Sequence, residues 1–260
     1  YLIIKLIDTE TDDDSTYDIG SSTGPIKIFK FKQDIYNFFC MEYNPNIQSS
    51  LNFGDCINRV FFDLLTCQNM NYKTNHDTPY YHCTGSILRV ANENSIIYGT
   101  GFMALFDDVG APPNAPFLNK VYKIPKYIIS VRGPLTRKKL LDMGISCPEN
   151  YGDPLLLFPL VYTNNKITEI KGKIGIIPHY SDVNNSNLKT LIDDLKKTYQ
   201  VELINVLTGL EYKPFIDSIL SCEYIISSSL HGMMMGIVYK KKTVFVEFES
   251  KVVVRLFKYM

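Results

Sequence analysis

Apolar and polar positions along the chain alternate in a way that reads as repeated strand-helix units. Asn52-Phe53-Gly54-Asp55 precedes Ile57, Val60, Phe61, Leu64 and Leu65, a spacing that lines up one apolar helical face. Asp55 is placed to cap that helix. Short strand-like segments follow at Tyr81 to Cys83 and Ser95 to Tyr98, each ending in small residues, Gly85-Ser86 and Gly99-Thr100-Gly101. Tyr127 to Val131 predicts a strand and Leu135 to Met143 a helix, with Pro134 in its first turn and Gly144 at its stop. The second half is more regular. Lys173 to Ile177, Val201 to Val206, Tyr224 to Ile226 and Thr243 to Phe248 predict strands. Helices alternate with them: one faced by Leu188, Leu191, Ile192 and Leu195, then Lys213 to Leu220 and His231 to Tyr239. Such alternation predicts an α/β fold with parallel sheets and right-handed crossovers. Lys166 to Lys173 is the expected crossover between two α/β domains, 1–165 and 166–260, with residues 1–50 peripheral to the first.

Composition narrows the class. The chain has 260 residues, 27 Lys+Arg against 27 Asp+Glu, and 45% hydrophobic residues. That apolar fraction supports a folded core, and the absence of a basic excess argues against nucleic acid as a partner. No apolar run approaches the roughly 18 residues of a membrane span. The six cysteines form no CxxC pair and read as reduced, mostly buried thiols. With no signal or spanning segment visible, these thiols point to a cytoplasmic setting. The ligand spacings of a zinc site are absent, so no metal is expected. The acidic stretch from Asp8 to Pro25 lacks the central Gly and final Glu of an EF-hand and reads as a solvated loop. Ala111 to Pro116 reads as a Pro-rich surface loop.

Chemistry is expected where strands of a parallel sheet end and loops enter helices. Ser227-Ser228-Ser229-Leu230-His231-Gly232 sits between a strand and a helix. It suits an anion, through helix-start N–H groups, serine hydroxyls and a glycine that permits close approach. His231 is suited to bind an anion or transfer a proton near neutral pH. Equally, the serines suit helix capping and His231 a bond to a carbonyl. Met233, Met234 and Met235 read as helix packing. Arg132, at the end of its strand, suits a bidentate grip on a carboxylate or phosphate, or a salt bridge to a neighbouring carboxylate. Asp55 suits either an N-cap or a base facing a cleft, with Asn52 and Asn58 beside it. His179, in Ile177-Pro178-His179-Tyr180, is a further cleft candidate.

Taken together, these segments resemble the polysaccharide pyruvyl transferase family, from about Asn52 to Phe257. The parts occur in family order: Asn52 to Asp55, Gly85-Ser86-Ile87-Leu88, Tyr98-Gly99-Thr100-Gly101 and Val131-Arg132-Gly133-Pro134-Leu135-Thr136-Arg137. Tyr151-Gly152-Asp153-Pro154, Ile177 to Tyr180 and Ser227 to Gly232 complete the series. The resemblance implies a GT-B-like architecture, with two Rossmann-like domains facing a cleft. The first would serve the acceptor and the second the donor, the final segment packing back on the first. It implies transfer of pyruvyl from phosphoenolpyruvate onto two hydroxyls of a glycan sugar, giving a cyclic ketal and phosphate, with no cofactor required. His231 and Asp55 would be catalytic. Arg132 and Ser227 to Gly232 would bind the donor. Some members carry Arg before Leu-His-Gly where this chain has Ser229, and the family continues past the segment where this chain reaches Met260. A nucleotide-sugar glycosyltransferase and a non-catalytic sugar-binding relative are the alternatives.

Overall fold

A computed structural model of the chain describes residues 37–39, 51–66, 71–73, 79–88, 91–102 and 123–248. The acidic stretch, the Pro-rich loop and the final segment lie outside the described residues, as do Cys40 and Cys67.

Two parallel sheets carry the fold. Strands β1 (Asn37–Phe39), β2 (Asn71–Lys73), β3 (Tyr80–His82), β4 (Ser95–Tyr98) and β5 (Tyr127–Ser130) form the first, in the order β2-β1-β3-β4-β5. Strands β6 (Ile170–Ile177), β7 (Val201–Leu203), β8 (Cys222–Ser227) and β9 (Lys242–Phe245) form the second, in the order β7-β6-β8-β9. All pairings are parallel. The α/β expectation therefore holds. Strands β1 and β2 are additions to the sequence expectation; each is three residues long, too short to show alternation. β6 begins at Ile170, so it takes up part of the expected crossover, and β7 ends at Leu203, one residue before Ile204 N–H makes a last bond to Ile176 O at 2.8 Å.

The helices are α1 (Phe53–Cys56), α2 (Asn58–Thr66), α3 (Pro134–Asp142), α4 (Phe158–Val161), α5 (Ser186–Lys196), α6 (Tyr212–Ser221) and α7 (Leu230–Val238). Pro134 opens α3, and Gly144, at φ 76°, lies just past its end, as its sequence position suggests. Asp55 does not precede a helix. Asn52 holds the N-cap position of α1, and Asp55 lies in its first turn.

The largest core crosses between the two halves. Phe53, Ile57, Phe61, Phe62 and Leu65 of α1 and α2 share it with Phe215, Ile216 and Ile219 of α6 and Met234 and Met235 of α7. Phe53 packs edge-on to Phe158, with centroids 5.7 Å apart, and lies 4.6 Å from Phe215. Its N–H donates to Val206 O at 2.9 Å, and Asn52 bridges antiparallel to Leu207. The methionines of α7 are packing residues, as expected. Cys56, Cys83, Cys147 and Cys222 are buried thiols.

Each sheet reverses its direction of growth once, after β2 and after β7. The crevices at such reversals open at the carboxyl ends of β1 and β3 and of β6 and β8. The residues that follow β3, β5, β6 and β8 include the candidate chemistry.

Candidate functional site

Loops at the ends of β3, β4 and β5 are zipped together by backbone hydrogen bonds beyond the strands. Gly101 N–H donates to Gly85 O, Leu88 N–H to Gly101 O, and Arg132 N–H to Thr100 O. Thr100 Oγ1 adds a bond to Gly85 O at 2.7 Å. Asn58 of α2 clamps the same region. Its Nδ2 donates to Thr84 O at 2.8 Å and its Oδ1 accepts from Thr84 N–H at 3.1 Å. Asn58 thus positions a loop.

This frame buries Arg132, whose residue is 5% exposed. Nη1 donates to Ser86 Oγ at 3.1 Å, and Nε stands 3.9 Å from Asp153 Oδ2. Nε and Nη2 have no hydrogen-bond partner. An Arg neighboured by a carboxylate but not hydrogen-bonded to it keeps donors for another anion. Asp153 is fixed through one oxygen: Oδ1 accepts from Thr84 Oγ1 at 2.7 Å and from Leu155 N–H at 3.1 Å, while Oδ2, facing Arg132, has no hydrogen-bond partner. Burial pushes the Asp153 carboxyl above the usual carboxylate range, against the pull of Arg132.

Asp55 comes to the same place from α1. Its Oδ2 accepts from Asn52 Nδ2 at 3.1 Å. Burial raises its pKa, while that bond and the Arg132 charge pull it down. Burial prevails, so this carboxyl holds a proton more readily than an exposed aspartate does.

From the second half comes His231, in the first turn of α7. Its ring lies directly on Gly54: a Cβ added there would stand 1.9 Å from both Cε1 and Nδ1. Phe-Gly-Asp is therefore a seat for an imidazole, with Gly54 lacking the side chain that would displace it. Nε2 is buried without a hydrogen-bond partner, so it makes no bond to a carbonyl. Burial, then the charges of Arg132 and His179, bring its pKa down to about 3. The ring is therefore held neutral at pH 7.

The serines that precede it serve the fold. Ser227 Oγ donates to Ile177 O at 2.8 Å and accepts from Ser229 N–H at 3.0 Å. Ser228 Oγ donates to Asp182 Oδ2 at 2.7 Å and accepts from His179 N–H at 2.9 Å. Ser229 Oγ caps α7, accepting from Gly232 N–H. Leu230 is a core residue. A Cβ on Gly232 would lie 2.6 Å from Ile177 Cγ2 and from Ser227 Oγ, so its glycine answers helix-to-strand packing. Of the three, Ser229 alone fills the capping role the sequence allowed, while the Ser227 and Ser228 hydroxyls tie the loop to β6 and to the loop after it.

His179 follows β6 and is 6% exposed. Nδ1 lies 2.7 Å from Ser181 Oγ, and the ring lies 4.2 Å from that of Tyr180. The Tyr180 hydroxyl feels the charge of Asp55, which with burial raises its pKa. Arg132, Asp55, His231 and His179 thus share one electrostatic neighbourhood. Ser86, Asp153, Tyr180 and Asp182 complete it and were not singled out from sequence as site residues. Their signal, small or acidic residues just past strand ends, is also that of an ordinary turn. Among the described residues no group of three or more His, Cys, Asp or Glu is placed to hold a metal, and no helix is long and apolar enough to cross a membrane.

No solved structure matches the chain. It is 29% identical over 196 residues to the uncharacterized protein L143 of Acanthamoeba polyphaga mimivirus, an alignment covering 72% of this chain. The chain spans 60% of that relative's length. A profile of the polysaccharide pyruvyl transferase family matches residues 68–250, a span that includes Ser86, Arg132, Asp153, His179 and His231. The chain belongs to the polysaccharide pyruvyl transferase family.

Proposed function

We propose that the chain transfers pyruvyl from phosphoenolpyruvate onto two hydroxyls of a glycan sugar, forming a cyclic ketal and releasing phosphate. The observation that carries this is the pairing of two buried groups whose nitrogens are left unsatisfied. Arg132 keeps Nε and Nη2 unpartnered beside a His231 whose Nε2 is also unpartnered. Phosphoenolpyruvate has a carboxylate and a phosphate, and needs such clamps at both ends. The family membership supports the same reaction class.

In this scheme the Arg132 fork takes the carboxylate and His231 the phosphate side. The arriving anion raises the His231 pKa, and the proton taken up goes to the methylene carbon. Asp55 accepts the proton of the first hydroxyl as its oxygen bonds to the central carbon. A second hydroxyl displaces phosphate. One hydroxyl proton balances the one placed on carbon and the other leaves with phosphate. The scheme calls for no metal or nucleotide. We further infer a GT-B-like pair of Rossmann-like domains, dividing near residue 165. The matching reversals of the two strand orders support that division.

The test is a thermal-shift titration with phosphoenolpyruvate beside a nucleotide-sugar panel, on the wild type and His231→Ala. A saturable rise with phosphoenolpyruvate, lost in the variant, is expected; phosphate release with a glycan acceptor then follows. A rise with a nucleotide sugar alone would overturn the proposal.

A further inference from the structure

The two oxygens of Asp153 have unlike surroundings. Oδ1 accepts from Thr84 Oγ1 and from Leu155 N–H. Thr84 is itself held by both amide atoms of Asn58, so this side of the carboxyl is fixed. Oδ2 accepts from nothing, although the Asp153 side chain is only 3% exposed. An ionised carboxylate accepts at both oxygens, whereas a carboxylic acid has one O–H donor beside its accepting oxygen. The surroundings of Asp153 are divided as the acid is.

The space beside Oδ2 is shared with Arg132. Nε stands 3.9 Å from Oδ2, and neither atom has a hydrogen-bond partner. That separation is too long for a hydrogen bond, yet one oxygen set beside the pair lies about 2.8 Å from each. Such an oxygen accepts from Nε–H, and it accepts from Oδ2 only if Oδ2 carries a hydrogen. Charge points the same way. Arg132 feels both Asp153 and Asp55. One guanidinium does not neutralise two buried carboxylates and an incoming anion, and carboxylates that share a site do not all stay ionised. Asp55 has a donor, Asn52 Nδ2, on its Oδ2. The bare Oδ2 of Asp153 is therefore where a proton goes.

We propose that Asp153 meets the anion held by Arg132 as a neutral acid: a proton from solvent joins Oδ2, and Oδ2–H and Arg132 Nε–H donate to the same anionic oxygen. Binding takes up a proton and release returns it. The second oxygen of a carboxylate then falls to Nη2, the other unpartnered nitrogen of the fork. A carboxyl kept neutral by its site is a known way to donate to a developing or bound anion. The identity of the anion as phosphoenolpyruvate rests on the pyruvyl-transfer reading, whereas the proton uptake needs only an anion on Arg132.

The groups facing Asp153 are Arg132 after β5, Thr84 after β3, the Leu155 N–H and the Tyr98 phenol of β4, with Cys83 beside that phenol. Across Arg132 stand Asp55 of α1 and His231 of α7. Of these, Arg132 is the cation at pH 7. Burial raises the Asp153 pKa and Arg132 lowers it. An anion on Arg132 cancels that pull, so the proton is held more firmly in the complex than in the free protein. Affinity should therefore fall as pH rises and the free carboxyl ionises.

The test is calorimetry of phosphoenolpyruvate binding between pH 7 and 9, in buffers of different ionisation enthalpy, on the wild type and Asp153→Asn. The wild type should take up about one proton more than the variant at the alkaline end. Its affinity should fall by up to about tenfold per pH unit, while Asp153→Asn, whose Nδ2–H donates without a proton from solvent, should hold its affinity. Equal uptake and parallel pH curves overturn the proposal and leave the transfer reading standing. If phosphoenolpyruvate does not bind, the transfer reading fails, and inorganic phosphate is titrated in its place. Asp153-dependent uptake with phosphate upholds the acid, and binding of neither anion overturns it. Should Asp153→Asn not fold, infrared difference spectra of the wild type decide. A protonated-carboxyl band should appear on adding phosphoenolpyruvate and should move in Thr84→Val, which removes one donor from Oδ1. A missing band, or one that Thr84→Val leaves in place, overturns the proposal.

Discussion

The two halves follow one plan to different ends. In both, the strand order places the third strand in sequence on the far side of the first. In the second half the loops after β6 and β8 hold their polar groups in closed sets: Ser227 with Ile177, Ser228 with Asp182 and His179. In the first half the loops after β3, β4 and β5 surround a guanidinium that is left partly unsatisfied. One half therefore supplies rigid imidazoles on a satisfied frame, and the other supplies the charges. A buried charge with unpaired donors is costly, and that cost makes it a receptor for an anion. The site depends on α1, which joins the halves by burying Phe53 among residues of both.

The largest effect expected is on chemistry. His231→Ala should lower kcat/KM by about 1,000-fold or more, roughly 4 kcal/mol of transition-state stabilisation, measured as phosphate release. Near-wild-type turnover would remove His231 from the mechanism. Next comes the join between the halves. Phe53→Ala should cost about 3–5 kcal/mol of stability and weaken phosphoenolpyruvate binding with it, because Asp55 and Gly54 ride on the same turn. Denaturant melts followed with and without phosphoenolpyruvate would separate the two losses, and an unchanged midpoint would show that the shared core is not what couples them.

Arg132→Lys sharpens the contrast in charge. It keeps the cation and loses the fork, so phosphoenolpyruvate affinity should fall about tenfold, read by calorimetry. A smaller effect tests the neutral state of His231. Its pKa in the fold is about 3 against an ordinary value of 6.5, so the unfolded chain binds this proton more readily between those values. That contribution to stability is present above pH 6.5 and is lost as pH falls toward 3. His231→Gln should flatten the acid-side fall in stability relative to wild type. Parallel curves would mean that the imidazole is not held neutral.

Much of the second half was legible in sequence because its strands are buried runs separated by amphipathic helices. Strand β8 lies between β6 and β9, and Ile225 is fully buried, which a β-branched run forecasts. Strands β1 and β2 had no such signature, since Asn37-Phe38-Phe39 and Asn71-Tyr72-Lys73 become strands through their partners. His231, Arg132 and Asp55 could be picked out because strand ends in parallel sheets are where such residues act. The work of Asp153 and Asp182 could not. Each depends on contacts far away in sequence, Asp153 with Thr84 and Asp182 with Ser228, and an aspartate near a turn looks the same whether or not it has such a partner. The serine run left two readings open, because adjacent hydroxyls at a helix start suit a ligand or the fold alike, and only distant contacts show that their bonds here are internal.

The contact between Gly54 and His231 has a consequence for descent. The imidazole occupies the space of a missing methyl group, so positions 54 and 231 form one unit of inheritance although they lie far apart in the gene. A lineage that acquires alanine at 54 loses the pose of the histidine at that same step, whatever happens later at 231. Reversal then requires the glycine to return first. Among divergent members, residue 54 should therefore record which lineages gave up the reaction, even where the histidine codon survives.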